Sequence, residues 1–135
     1  MTGREGPGRA QFAVHLPYDE TAAATARSLL RGLLVRHGVP DELVSDATLV
    51  LHELVVNGLI HGDPDERNQI EVSADIAGGR LVISVLDRGN RGTVAAHPFT
   101  EDRTRGRGLA MVEVLSDSWA VDRSSGTRVS AQLSL

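Results

Sequence analysis

A chain of 135 residues, 41% hydrophobic and 24% charged, suits one globular domain with a modest core. Its net charge of −4 and its few aromatic residues argue against a nucleic-acid binder, and the absence of cysteine removes disulfide frameworks, thiolate nucleophiles and cysteine-ligated zinc. All 14 basic residues are arginine, so neither a Walker A loop nor a eukaryotic-type kinase site can be built; a phosphate site here must use backbone amides, arginine and a metal ion.

Residues 1–9 have no apolar segment behind a basic one, so they read as a disordered tail and not as a signal peptide. No uninterrupted apolar run approaches the roughly 20 residues of a membrane span. With no cysteine, a cytoplasmic location without membrane attachment is the expectation. Residues 10–16 can form a short strand that Pro17 stops. From Tyr18 to His37, Ala22, Ala26, Leu29, Leu30, Leu33 and Leu34 recur at helical spacing, and Gly38 supplies a stop. Pro40-Asp41-Glu42 opens a second helix with acids in its first turn, where the helix dipole favours them. That helix runs to His61, about 30 Å at about 1.5 Å per residue.

The period then changes. Ile70, Val72, Ala74 and Ile76 alternate with Glu71, Ser73 and Asp75, a strand with one wet face. Ala77-Gly78-Gly79 turns it into a more apolar strand over Leu81–Leu86, which predicts a hairpin. Residues 87–108 are rich in glycine and arginine and have little periodicity, which in a compact domain marks function or disorder. A helix is expected over Leu109–Leu115, then a strand at Trp119–Val121. A turn at Ser124-Ser125-Gly126 leads to a last strand in which Val129, Ala131, Leu133 and Leu135 alternate with polar residues. Such an order implies an α/β two-layer sandwich, a mostly antiparallel sheet with about three helices on one face, in a single domain over 10–135.

Four constellations carry chemistry. Glu53, Asn57 and His61, four residues apart, share one stripe of the second helix. An amide oxygen suits Mg²⁺, and a carboxylate one turn away can accept a proton from an attacking hydroxyl or water. The stripe also suits a plain solvated face. Asp87-Arg88-Gly89 ends an apolar strand, where an aspartate can accept from an exocyclic amine and a glycine lets a flat ring approach; a strand-ending turn reads the same. Thr104-Arg105-Gly106-Arg107-Gly108-Leu109 stands before a helix whose first amides can hold phosphate, with Arg105 and Arg107 adding charge; a flexible loop is the plainer reading. It is not a Rossmann fingerprint, since Met111 stands where the third glycine belongs. Thr127 after Gly126 can hold Asp87 or a ligand directly, or simply start a strand.

The four come in a fixed order that resembles the GHKL ATPases, the family of gyrase, Hsp90, histidine kinases and MutL. Within that family, Glu53-Leu54-Val55-Val56-Asn57-Gly58-Leu59-Ile60-His61-Gly62 and the run from Gly106 to Trp119 are similar to the small bacterial serine/threonine kinases that act as anti-sigma factors. The resemblance spans about residues 10–135. It implies an ATP-Mg²⁺ site with Asn57 on the metal and Glu53 as general base. Asp87 would receive the adenine amine, with Gly89 beneath the ring and Thr127 in support. Gly106 and Gly108 would bring backbone amides to the phosphates, with His61, Arg105 and Leu109 lining the same site and residues 90–105 forming a lid. The implied partners are a sigma factor and a STAS-domain antagonist that the kinase phosphorylates, with a homodimer also in keeping with relatives. One departure stands out: a family pattern D-x-G-x-G is met here by Asp87-Arg88-Gly89-Asn90-Arg91-Gly92, with the second glycine displaced by one. That displacement motivates an alternative, an ATP-binding regulatory module of the same fold that controls a partner by contact without phosphoryl transfer.

Overall fold

The computed structural model describes the backbone of residues 9–89 and 103–135, and the side chains of these save 103–108. The elements run β1 (Arg9–Pro17), α1 (Thr21–Arg36), α2 (Asp41–His61), β2 (Gln69–Ala77), β3 (Arg80–Asp87), α3 (Arg103–Leu115), β4 (Ser118–Asp122) and β5 (Thr127–Ser134). The strands form one sheet in the order β1-β2-β3-β5-β4, and every neighbouring pair is antiparallel. The three helices cover one face, which gives the expected two-layer α/β sandwich.

Alternation along the strands decides which face the helices cover. Phe12, Ile70, Val72, Ile76, Leu81, Ile83, Val85, Val129 and Leu133 point inward and are buried against Leu30, Leu34, Leu51 and Leu54 of the helices. On β2 the outward residues are polar and pair across strands, while on β3 Val82 and Leu86 flank Ser84 on the same face. Glu71 lies 3.5 Å from both His15 on β1 and Arg128 on β5, and the Ser73 and Ser84 hydroxyls are 2.8 Å apart. Such half-exposed pairs contribute little stability each, but they keep the outer face wet and set the register.

The connections follow from residues that tolerate tight backbone. Gly78 and Gly79 have φ of 60° and 74°, so Ala77 pairs with Arg80 across a two-residue turn that matches the strand twist. At the end of α1, Gly38 has φ 75°; its amide donates to Val35 O and the Val39 amide to Leu34 O, a Schellman closure. Pro40 then starts α2. α1 begins at Thr21, three residues later than its periodicity predicts. Asp19 takes both the amide and the hydroxyl of Thr21 and so ends the incoming strand in a turn. Those two bonds, the hydroxyl's first, hold the Asp19 carboxyl below its usual range. Their contribution is therefore present above the ordinary carboxylate pKa and is lost as pH falls through the lowered one.

Two further boundaries differ from expectation. Arg9, expected in the tail, opens β1 because β2 extends to Ala77 and gives it a partner. α3 starts at Arg103, not at Leu109, so Gly106 and Gly108 lie inside the helix rather than in a loop before it. The intervening arginines are good helix formers. Two glycines cost about 1 kcal/mol each against alanine, which the packing of Leu109 and Val112 can offset. α2 is, among the described helices, the one long and apolar enough to cross a membrane, with mean hydropathy 1.5. Half of that stretch is buried in the domain, and this accounts for its apolar character. Leu51→Ala at its centre, where the side chain is fully buried, should cost about 2–5 kcal/mol, read as a lower midpoint in urea unfolding.

Candidate functional site

Asp87 is the last residue of β3, the middle strand, and it faces inward where its neighbours Val85 and Ile83 are apolar. Its carboxylate is 2% exposed. Burying a charge there is costly unless hydrogen bonds surround it. Gly89 N donates to Oδ1 at 2.7 Å, and Asp63 N lies at 3.4 Å from the same oxygen. The Arg88 amide in turn donates to Asp63 O at 2.9 Å, which ties the segment after α2 to the end of β3.

Glycines enclose this carboxylate from several sides. A Cβ on Gly62 would stand 2.5 Å from Asp87 Oδ2 and 2.6 Å from Gly58 O. One on Gly58 would stand 2.9 Å from Ile70 Cδ1 and 3.4 Å from Val85 Cγ1. A Cβ on Gly89 would meet Asp87 Oδ1 and Asp63 Oδ2, each at 3.0 Å. Gly126, at φ 88°, presses on the Asp87 carbonyl from the β4–β5 turn. No side chain fits at Gly62 or Gly126, so the last turn of α2 and that turn can approach Asp87 only as bare backbone. Thr127, fully buried, pairs with Asp87 in the β3–β5 register. Its hydroxyl donates to Gly89 O at 2.7 Å rather than to the Asp87 carboxylate, so it fixes the turn that carries Gly89.

α2 supplies the second part of the site. Asn57 is 7% exposed and thus buried, whereas Glu53 and His61, one turn to either side, are half-buried. The stripe is therefore not a plain solvated face: its middle residue is turned into the protein. Tyr18, between β1 and α1, donates its hydroxyl to Gly58 O at 2.7 Å and so clamps the last turns of α2. Leu109 is buried on α3. Arg105, Gly106 and Gly108 lie on the first half of α3, where only backbone is described. The expected lid falls outside the described residues over 90–102, as does the displaced Gly92.

The structure thus brings together Asp87, Gly89 and Thr127, and sets the α2 stripe beside them through Gly58 and Gly62. Sequence reasoning did not single out Gly58, Gly62, Gly126, Asp63 or Tyr18. One signal was available: a glycine at 58, inside a helix, where it costs about 1 kcal/mol against alanine, implies a packing reason.

Among the described residues no group of three His, Asp or Glu side chains is placed to hold a metal. A Mg²⁺ ion would therefore need oxygens from a phosphate ligand, with Asn57 as one protein ligand, which suits an ion that keeps few protein contacts. The rigid acceptor at Asp87 and its bare-backbone surroundings suit a flat base carrying an amine.

Gly62→Ala should cost about 1–3 kcal/mol through overpacking against the carboxylate, read by urea unfolding. Gly32→Ala in α1 is the contrast. Its Cβ meets only the Arg36 guanidinium, at 3.3 Å, and a gain of up to about 1 kcal/mol is expected there.

The comparisons agree with this geometry. Residues 16–133 match the model of the histidine kinase-like ATPase domain. Among curated proteins none matches the chain. Among solved structures, the RsbU and RsbW domains of Rv1364c from Mycobacterium tuberculosis are similar at 27% identity and TM-score 0.72, over 93% of this chain and 32% of that one. The chain thus spans about a third of that relative's length. The SiaB–SiaC complex from Pseudomonas aeruginosa shares the fold at 13% identity and TM-score 0.63, over 92% of this chain and 88% of the other. So does the histidine kinase domain of the blue-light activated histidine kinase EL346 from Erythrobacter litoralis, at 23% identity and TM-score 0.57, over 72% and 46%. With a family match over 118 of 135 residues (133 − 16 + 1), the chain belongs to the histidine kinase-like ATPase domain family.

Proposed function

We propose that this domain binds ATP with Mg²⁺ and transfers the γ-phosphoryl group to a serine or threonine of a STAS-domain partner, and that it holds a sigma factor when that partner is phosphorylated. The observation that carries the reading is the Asp87 carboxylate, buried, hydrogen-bonded by Gly89 and enclosed by glycines beside the Glu53–Asn57–His61 stripe. The likeness to the RsbW domain of Rv1364c supports the anti-sigma part. The SiaB–SiaC complex has the same fold, in keeping with a domain that works by binding another protein.

In this reading Asp87 accepts the adenine amine, and Gly89 leaves room for the ring. Thr127 holds the Gly89 carbonyl and keeps that turn in place. Asn57 and His61 face the phosphates, Asn57 as the metal ligand, and Mg²⁺ when bound offsets charge on the phosphate oxygens. Glu53, half-buried and one turn before Asn57, takes the proton of the acceptor hydroxyl as its oxygen bonds to the γ-phosphorus. The bond to ADP then breaks; the first-turn amides of α3, as far as Gly106, and Arg105 would offset charge on the phosphates, while the Gly108 amide is taken up within the helix. The partner gains nearly two negative charges, which weaken its hold on this acidic chain. A homodimer belongs to the same reading and is checked by mass in solution.

Glu53→Gln should abolish transfer of labelled phosphate to STAS-domain proteins while ATP-Mg²⁺ still binds by calorimetry. Asp87→Asn should weaken ATP binding at least about tenfold, the loss of one charged hydrogen bond. Full transfer by the Glu53 variant would remove that residue from the mechanism. Tight ATP binding by the wild type without transfer to any partner would favour the contact-only regulator.

A further inference from the structure

Beside Glu53, on the side facing α1, lies a shallow depression of about 380 Å³ lined by Arg27, Arg31, Ser45, Thr48, His52 and Glu53 among others. Here Arg27 Nη1 lies 2.7 Å from His52 Nδ1, and His52 Nε2 lies 4.0 Å from Glu53 Oε2. A guanidinium has only donors and does not lose its proton in proteins. In this contact the Nδ1 atom must therefore accept, so it carries no proton of its own. The neutral ring then carries its hydrogen on Nε2, the nitrogen turned toward the Glu53 carboxylate.

Resting on the reading of Glu53 as the base, we propose that His52 is a positioning residue for it, held in the Nε2–H tautomer by Arg27. A glutamate side chain has three rotatable bonds, and Glu53 is only partly buried. A base displaced by about 1 Å can lose on the order of a hundredfold in rate. At 4.0 Å the Nε2–H is an electrostatic guide, and a small side-chain shift or one bridging water makes it a hydrogen bond. The direction is fixed by chemistry: the opposite tautomer would present a lone pair to the carboxylate and repel it. The contact also joins the two helices, since Arg27 stands on α1 and His52 and Glu53 on α2. A shift of α1 against α2 therefore reaches the base through the imidazole.

Long-range proton–nitrogen correlation of the ring should show a protonated Nε2 and an unprotonated Nδ1 in the wild-type chain near neutral pH. Arg27→Lys, which also only donates, should keep that tautomer; Arg27→Glu, which only accepts, should reverse it. With ATP-Mg²⁺ and an unphosphorylated STAS-domain acceptor, or water as acceptor, His52→Phe should lower kcat about tenfold to a hundredfold and leave KM for ATP unchanged. His52→Gln, whose amide nitrogen stands near the Nε2 position, should recover most of the rate. The proposal is overturned by a wild-type ring protonated on Nδ1. It is overturned equally by full kcat in His52→Phe while Glu53→Gln is dead, or by a loss in His52→Phe that His52→Gln does not restore. A fully active Glu53→Gln, or no turnover in the wild type, would instead sink the base reading itself and the proposal with it, whatever the ring shows.

Discussion

A single buried charge organises this domain. Asp87 sits at the end of the central strand, in a position that the pleat directs into the apolar layer. A carboxylate in such a place must be compensated, and the compensation includes the backbone amides of Gly89, two residues on, and of Asp63, just after α2. The surrounding backbone can approach only where side chains are absent: a Cβ at Gly62 or Gly89 would meet the carboxylate, one at Gly126 the Asp87 carbonyl, and one at Gly58 Ile70 and Val85. The end of α2, the β3 exit and the β4–β5 turn are thereby pinned to one another. The helix that bears Glu53 and Asn57 is consequently registered against Asp87 by packing around the acid itself. In the proposed reading, recognition of the base and placement of the phosphate-side residues would be two outcomes of one arrangement.

The lysine-free composition fits this arrangement. A lysine on phosphate is a mobile point charge that requires a strand or loop to aim it. Here the proposed work is shared among an amide on α2, the backbone of α3 and a cation that arrives with the nucleotide. None of these needs a long basic side chain inside the domain. Among the described residues the arginines fall mainly at the periphery: Arg27 and Arg31 are exposed on α1, and Arg128 lies on the outer face of the sheet. They bridge elements at the surface instead of occupying the core.

Much of the architecture was readable in the sequence, because strands and helices here keep clean periods. Ile70 to Ile76 alternates without a break, and the Gly78-Gly79 pair announces its hairpin. Boundaries failed where a local residue overruled periodicity. Asp19 delays α1 by capturing Thr21, and arginines carry α3 through two glycines that read as a loop. The site was readable as a set of residues but not as an enclosure. That Gly62 touches Asp87 depends on how the end of α2 meets the end of β3, a contact across 25 residues (87 − 62) for which one-dimensional patterning has no signature. Thr127 shows the same limit: its position beside Asp87 followed from strand order, whereas the partner of its hydroxyl, Gly89 O, depended on the turn after β3.

The pairing of Asp87 with Thr127 has one more consequence. It closes a stretch of 39 residues (127 − 87 − 1) that carries the expected lid, α3 and β4. Closure entropy grows only with the logarithm of loop length, so even doubling that stretch would cost about 0.6 kcal/mol. The two ends are held by the sheet and by Gly89 and Gly126, the glycines near the ends of the stretch. The part of that stretch before α3 is therefore free to vary in length at small cost, whereas α3 and β4 are held by the burial of Leu109 and Val112 and by pairing with β5. In the proposed reading, the segment expected to cover the nucleotide can change in length while Asp87, Gly89 and Thr127 keep their places, so turnover and partner choice can be tuned apart from recognition of the base.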